Sequence, residues 1–160
     1  MYAVQPYYEE EVHAIVHAIK KKKGDGNLLF ALVADTHLSD NGEYTRENIA
    51  AVDAAVGFDF MIHLGDFLTG TTPEKVSRRN LREELCAYRN AVESRILYVV
   101  QGNHDGYRDE SYRGQVVDDI ALDENWYEDT CFIDEYPNVH RPGKKPYYYV
   151  DVPDKKLRMV

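Results

Sequence analysis

Cysteine is scarce: the chain has two in 160 residues, Cys86 and Cys131, with no C-x-x-C spacing. That excludes a disulfide-dense scaffold and a zinc knuckle, and predicts two reduced, unpaired thiols. Long apolar runs are missing as well. No window approaches the roughly 18 apolar residues of a membrane span, and no basic segment followed by an apolar one opens the sequence. The expectation is no membrane insertion and a cytoplasmic setting. Basic residues are in deficit, 19 Lys and Arg against 28 Asp and Glu, for a formal net charge of -9. This balance argues against a general grip on duplex DNA, because affinity for phosphate backbones rests on Lys and Arg releasing counterions. Nucleic acid therefore enters only as a substrate. A small phosphorylated substrate is not excluded, since a bound metal inverts the local field. There is no internal repeat and no low-complexity segment.

What is there suits one domain over residues 1–160, large enough to bury roughly two thirds of its unfolded surface. Residues 8–23 carry Val12, Ile15, Val16 and Ile19 at helical spacing, with Glu9 to Glu11 in front and Lys20 to Lys23 behind, a charge order that favours a helix. His13 and His17 lie four apart on it but flank the apolar stripe, so they read as solvated. A continuous apolar run at 27–34 predicts a strand covered on both faces. A polar loop follows at 38–43, then a helix capped by Thr45, with Ile49, Val52 and Val56 on one face and Gly57 at its end. Residues 58–64 read as a second strand. Thr72-Pro73 opens a helix running to about Val92, because proline lacks only a donor that would be orphaned there. Its charged residues read as a solvated face. Residues 95–101 read as a third strand. Strands separated by helices predict a parallel sheet, which binds ligands beyond the carboxyl ends of its strands. Beyond Gly106 the pattern blurs: a short helix within 116–136, a proline-containing loop at 137–146, and two strands at 147–152 and 156–160 about a turn at Pro153-Asp154-Lys155.

The chemistry-bearing residues fall at the three predicted strand ends: Asp35-Thr36-His37, Gly65-Asp66, and Gly102-Asn103-His104-Asp105. Asp35, His37, Asp66 and Asn103 are oxygen and imidazole donors, a mix suited to borderline divalent ions such as Mn, Fe, Zn, Co or Ni rather than to thiolate sites. Two such ions about 3.5 to 4 Å apart share a bridging carboxylate and clamp a phosphate. His104 and Asp105 are the candidate catalytic residues, the imidazole because it can serve as a proton donor. His63 reads as a packed strand residue, Tyr147 to Tyr149 as strand packing, and His140 as a loop histidine. Tyr107 and Arg108 read as loop surface close to where a substrate phosphate would lie.

In order and spacing these motifs resemble the signature of the calcineurin-like metallophosphoesterase superfamily: D-x-H, then G-D, then G-N-H-[D/E]. The match covers Asp35 to Asp105. The resemblance implies a double β-sandwich flanked by helices, in α-β-β-α layers, of which this α/β chain would be the N-terminal part. It implies a divalent-metal-dependent hydrolase of phosphomonoesters or phosphodiesters, acting through two metal ions and a metal-bound hydroxide. By the same resemblance Asp35 and His37 are ligands of the first ion, Asp66 the bridging carboxylate and Asn103 a ligand of the second, while His104 stabilises or protonates the leaving oxygen. Two departures stand out. Thr69 occupies the position where some members carry an aspartate that orients the catalytic histidine, which leaves the partner of His104 open. The later histidine and the G-H-x-H motif are also missing, and the only histidine after His104 is His140. The expectation is therefore an incomplete domain that self-associates through its unfinished sheet. The alternative is a catalytically silent half-site that binds metal or a partner.

Overall fold

Three short apolar strands form the centre of the molecule, and their chain order is their spatial order. A computed structural model describes residues 4–38, 40–106 and 119–160. Strands β1 (Phe30–Val33), β2 (Phe60–His63) and β3 (Leu97–Val99) make a parallel sheet in the order β1-β2-β3. Each is shorter than its apolar run, because the flanking residues bend into the loops at either end. Helices α1 (Glu9–Lys22), α2 (Asp40–Val56) and α3 (Glu74–Asn90) alternate with the strands, as the α/β reading expects. Val12 on α1 packs against Val52 and Val56 on α2, with Val16 and Ile19 beside them. Ile15, expected in that stripe, is exposed, as are His13 and His17.

Helix α2 begins at Asp40, inside the segment expected to be a polar loop. Its first turn is held by tertiary contacts: Tyr88 Oη donates to the Gly42 carbonyl, and Gly42 lies so close to Thr36 O that a Cβ would come within 3.2 Å of it. Asp53, fully buried on the same helix, accepts from the backbone N–H of Phe58 and of Glu93 and ties α2 to the starts of the next two strands.

Helix α4 (Asp119–Thr130) is fastened to α3 by charge as well as by Trp126, which is buried in the same core as Leu81 and Leu85. The buried Asp129 carboxylate accepts a two-pronged pair from Arg78, at 3.0 and 2.9 Å, and a further bond from Arg82 at 2.7 Å. A planar guanidinium matches a carboxylate in this way, which fixes geometry as well as adding attraction.

The chain then forms a second, antiparallel sheet, β4 (Val139–His140), β5 (Tyr149–Val152) and β6 (Leu157–Met159), in the order β4-β5-β6. Strand β4 lies inside the expected proline loop; at two residues it is too short to show periodicity. Val150 enters the same core as Met61, Leu97, Val99 and Ile133. The two sheets meet at the outer edge of β3. Val99 N–H donates to Tyr148 Oη and Tyr148 Oη donates to Val99 O, each at 2.8 Å. Tyr136 Oη likewise accepts from Leu97 N–H and donates to Arg95 O. Tyr147, by contrast, is exposed rather than packed. Phe30, Leu32, Leu64 and Val100 leave an apolar strip of the parallel sheet in solvent.

Candidate metal centre

At the carboxyl ends of β1 and β2 the backbone takes conformations that ordinary residues avoid. Asp35, His37 and Leu38 after β1 have φ of 58, 48 and 42°, and Gly65 and Asp66 after β2 have φ of 96 and 57°. A left-handed conformation in a non-glycine residue costs on the order of 1 kcal/mol or more, and such residues gather where structure serves function. The two loops are stitched together by backbone bonds continuing the β1–β2 ladder: Asp35 N–H to Gly65 O at 3.1 Å and His37 N–H to Asp66 O at 3.0 Å.

The third loop closes on them from β3. Gly65 and Gly102 are in such close approach that a Cβ on Gly65 would strike the Gly102 backbone, and one on Gly102 would strike Asp66. His104 N–H donates to Asp66 Oδ1 at 2.7 Å. The buried Asp105 carboxylate binds four backbone N–H groups: Asp66 and Gly102 on Oδ2, Phe67 and Leu68 on Oδ1, at 2.7–3.1 Å. Burial pushes its pKa up, while these four donors pull the other way.

The outcome is a cluster. One ligand atom each from Asp35, His37 and Asp66 lies within 4.8 Å of the others. His37 Nδ1 contacts Leu68 O at 2.8 Å; a carbonyl only accepts, so Nδ1 carries the proton and Nε2 keeps its lone pair for a metal. Two carboxylates and an oriented imidazole fit a borderline divalent cation. The rings of His37 and His104 meet edge to face at 4.9 Å. His104 Nδ1 contacts Thr69 O at 3.2 Å. The partner left open when Thr69 replaced an aspartate is thus Thr69's own main chain. Asn103 is exposed on the same loop. Tyr107 and Arg108 lie outside the described residues. His140 is far along the chain on β4, exposed and stacked on Tyr149 with ring centres 4.7 Å apart.

Sequence reasoning read His63 as packing, and it is fully buried, with Phe67 stacked on it at 3.6 Å. Its ring is also hydrogen-bonded on both sides. Gly65 N–H donates to Nδ1 and Nε2 lies 3.1 Å from Thr36 Oγ1. Burial lowers its pKa to about 3, so it is neutral. The only sequence signal for this was a polar side chain within an apolar strand.

Carboxylate and imidazole donors delivered by successive parallel strands define the class: an α/β protein with a cluster of candidate metal ligands at the carboxyl end of its sheet. The calcineurin-like phosphoesterase family model matches residues 28–156, and the chain belongs to that family. It is thereby placed among metal-dependent phosphoester hydrolases. Comparison with curated proteins and with solved structures returned no match. Among the described residues no helix is long and apolar enough to cross a membrane.

Proposed function

We propose that this chain hydrolyses phosphomonoesters or phosphodiesters at a dinuclear centre, with Asp35, His37 and Asp66 on one ion, Asp66 bridging, and Asn103 on the second. The observation that carries this reading is the convergence of the Asp35, His37 and Asp66 donor atoms within 4.8 Å at the sheet's carboxyl end. When bound, divalent ions supply Lewis-acid polarisation of the phosphoryl group and a nucleophile drawn from water at neutral pH. The chain's own residues do the rest. His104, with its Nδ1 N–H held by Thr69 O, would act as the imidazolium and pass its Nε2 proton to the leaving oxygen, ending as the neutral Nδ1–H ring. Asp105 has both oxygens engaged by backbone, so in this reading it positions the Asp66 and Gly102 loops and does not touch substrate.

We extend the proposal to the chain as a whole. One core running from Ala31 to Val150 supports a single domain. Two exposed free thiols suit a reducing, cytoplasmic setting. The apolar strip of Phe30, Leu32, Leu64 and Val100 supports self-association.

The test is hydrolysis of an aryl phosphomonoester and an aryl phosphodiester by the chain with added Mn²⁺, alongside Mn²⁺ binding by calorimetry. Asp66→Asn is expected to abolish turnover and weaken binding of both ions. His104→Ala is expected to keep metal and lose about 10²-fold or more in kcat. Equal metal loss in the two variants would overturn the assignment.

A further inference from the structure

The ligands of the first ion come from two loops, and the imidazole of His63 bridges those loops from behind. Thr36 stands between the ligands Asp35 and His37; Gly65 immediately precedes the ligand Asp66. His63 binds both. Because Gly65 N–H can only donate, Nδ1 must accept; Nε2 then carries the ring proton and donates it to Thr36 Oγ1. The tautomer is fixed by the backbone. An imidazole presents these two nitrogens at a set separation and in one plane, so the ring acts as a spacer of fixed length between the two ligand-bearing turns.

The spacer itself cannot shift. Phe67 lies flat against it, 17° from parallel, and Tyr88 meets it at 72°. The Thr36 hydroxyl also interacts with Tyr88, whose ring carries the Arg46 guanidinium 5.4 Å above it, and Arg46 is paired with Glu84 at 2.6 Å. The network anchors the β1 loop to α2 and α3.

From this geometry we infer that His63 is a positioning residue for the metal centre, which sets the spacing of Asp35 and His37 from Asp66 through its bonds to Thr36 and Gly65. The inference rests on the metal-site reading above. It adds that affinity for the ion depends on a ring that never touches it. Outer groups that orient metal ligands typically contribute 10–100-fold in affinity.

The experiment is Mn²⁺ titration of the metal-free chain by calorimetry, with thermal melting of each variant recorded in parallel. His63→Phe keeps an aromatic ring, somewhat larger, to stack on Phe67 but loses both hydrogen bonds; the expectation is a cooperative melt with Mn²⁺ bound about 10–100-fold more weakly. His63→Gln restores a donor near Nε2 and His63→Asn an acceptor near Nδ1, and each is expected to recover part of the loss. Should His63→Phe fail to fold, Thr36→Val and Thr36→Ser make the comparison from the other end. Valine is expected to weaken binding and serine to keep it. Parent-like affinity in His63→Phe, no recovery in either amide variant, or equal affinity in the two Thr36 variants would overturn the inference. Absence of Mn²⁺ binding by the parent chain, or parent-like binding by Asp66→Asn, would overturn the metal-site reading itself.

Discussion

The carboxyl end of the parallel sheet and the outer edge of β3 are built in opposite senses. Past the carboxyl end of the sheet, backbone is bent for the sake of side chains: Asp35, His37 and Asp66 adopt left-handed φ so that a carboxylate, an imidazole and a second carboxylate converge. Along the outer edge of β3, side chains are spent for the sake of backbone, with the Tyr136 and Tyr148 hydroxyls taking up Arg95 O, Leu97 N–H and both polar groups of Val99. The first region concentrates left-handed backbone at the candidate metal ligands. The second removes a weakness, since an edge strand with unpaired N–H and C=O groups is a template for another chain. Changes at the strand ends should therefore alter metal binding, and changes along the edge should alter stability alone.

The largest effect expected is that of Asp105→Asn. An amide turns one of the two accepting oxygens into a donor facing two backbone donors, so buried N–H groups lose their partners at a cost of about 3 kcal/mol. Chemical denaturation should show that loss, with Mn²⁺ affinity falling as the Asp66 and Gly102 loops part. A variant as stable as the parent would break the claim that Asp105 holds these loops.

Next comes pH. His63 takes a proton near pH 6.5 when unfolded and near 3 when folded, so between those values the unfolded chain binds more protons and stability falls as pH falls. The stabilisation is complete above pH 6.5. Its loss amounts to about 1.4 kcal/mol per pH unit below that value. Denaturant midpoints at pH 7, 6 and 5 without metal should show a slope in the parent that is absent from His63→Gln; equal slopes in the two would refute a buried neutral imidazole.

The smallest effects belong to the edge. Tyr148→Phe leaves both polar groups of Val99 without their partner and should cost about 1–2 kcal/mol, while Tyr136→Phe, with a longer bond to Leu97 N–H, should cost less than about 1 kcal/mol. Mn²⁺ affinity should be unchanged in both. Weakened metal binding in either would erase the contrast between the two regions.

Much of this was legible from residues alone, for identifiable reasons. The three strands announced themselves as apolar runs, and Asp35-Thr36-His37, Gly65-Asp66 and Gly102 to Asp105 follow them directly, so the convergence of Asp35, His37 and Asp66 is legible in the sequence. The supporting groups could not. Leu68 O and Thr69 O, which orient His37 and His104, are main-chain atoms with no residue signature. Asp105 looks like a reactive carboxylate until the backbone of the neighbouring loop is folded over it. The start of α2 at Asp40 depends on Tyr88, whose contact with Gly42 spans 46 residues of sequence. Strand β4 has only two residues and is specified by its pairing with Tyr149 and Val150.

The tyrosine hydroxyls on β3 also make the parallel sheet one-sided as a growth front. A fourth parallel strand arriving beside β3 would find the outward groups of Val99 and the N–H of Leu97 already occupied, and would have to displace two half-buried rings to reach them. Lateral extension is thereby directed to β1, the opposite border, where among the described residues no further strand is paired. Two phenolic oxygens thus give the sheet a polarity across its width, one border closed and one open, that neither the strand order nor the hydrogen-bond ladder contains.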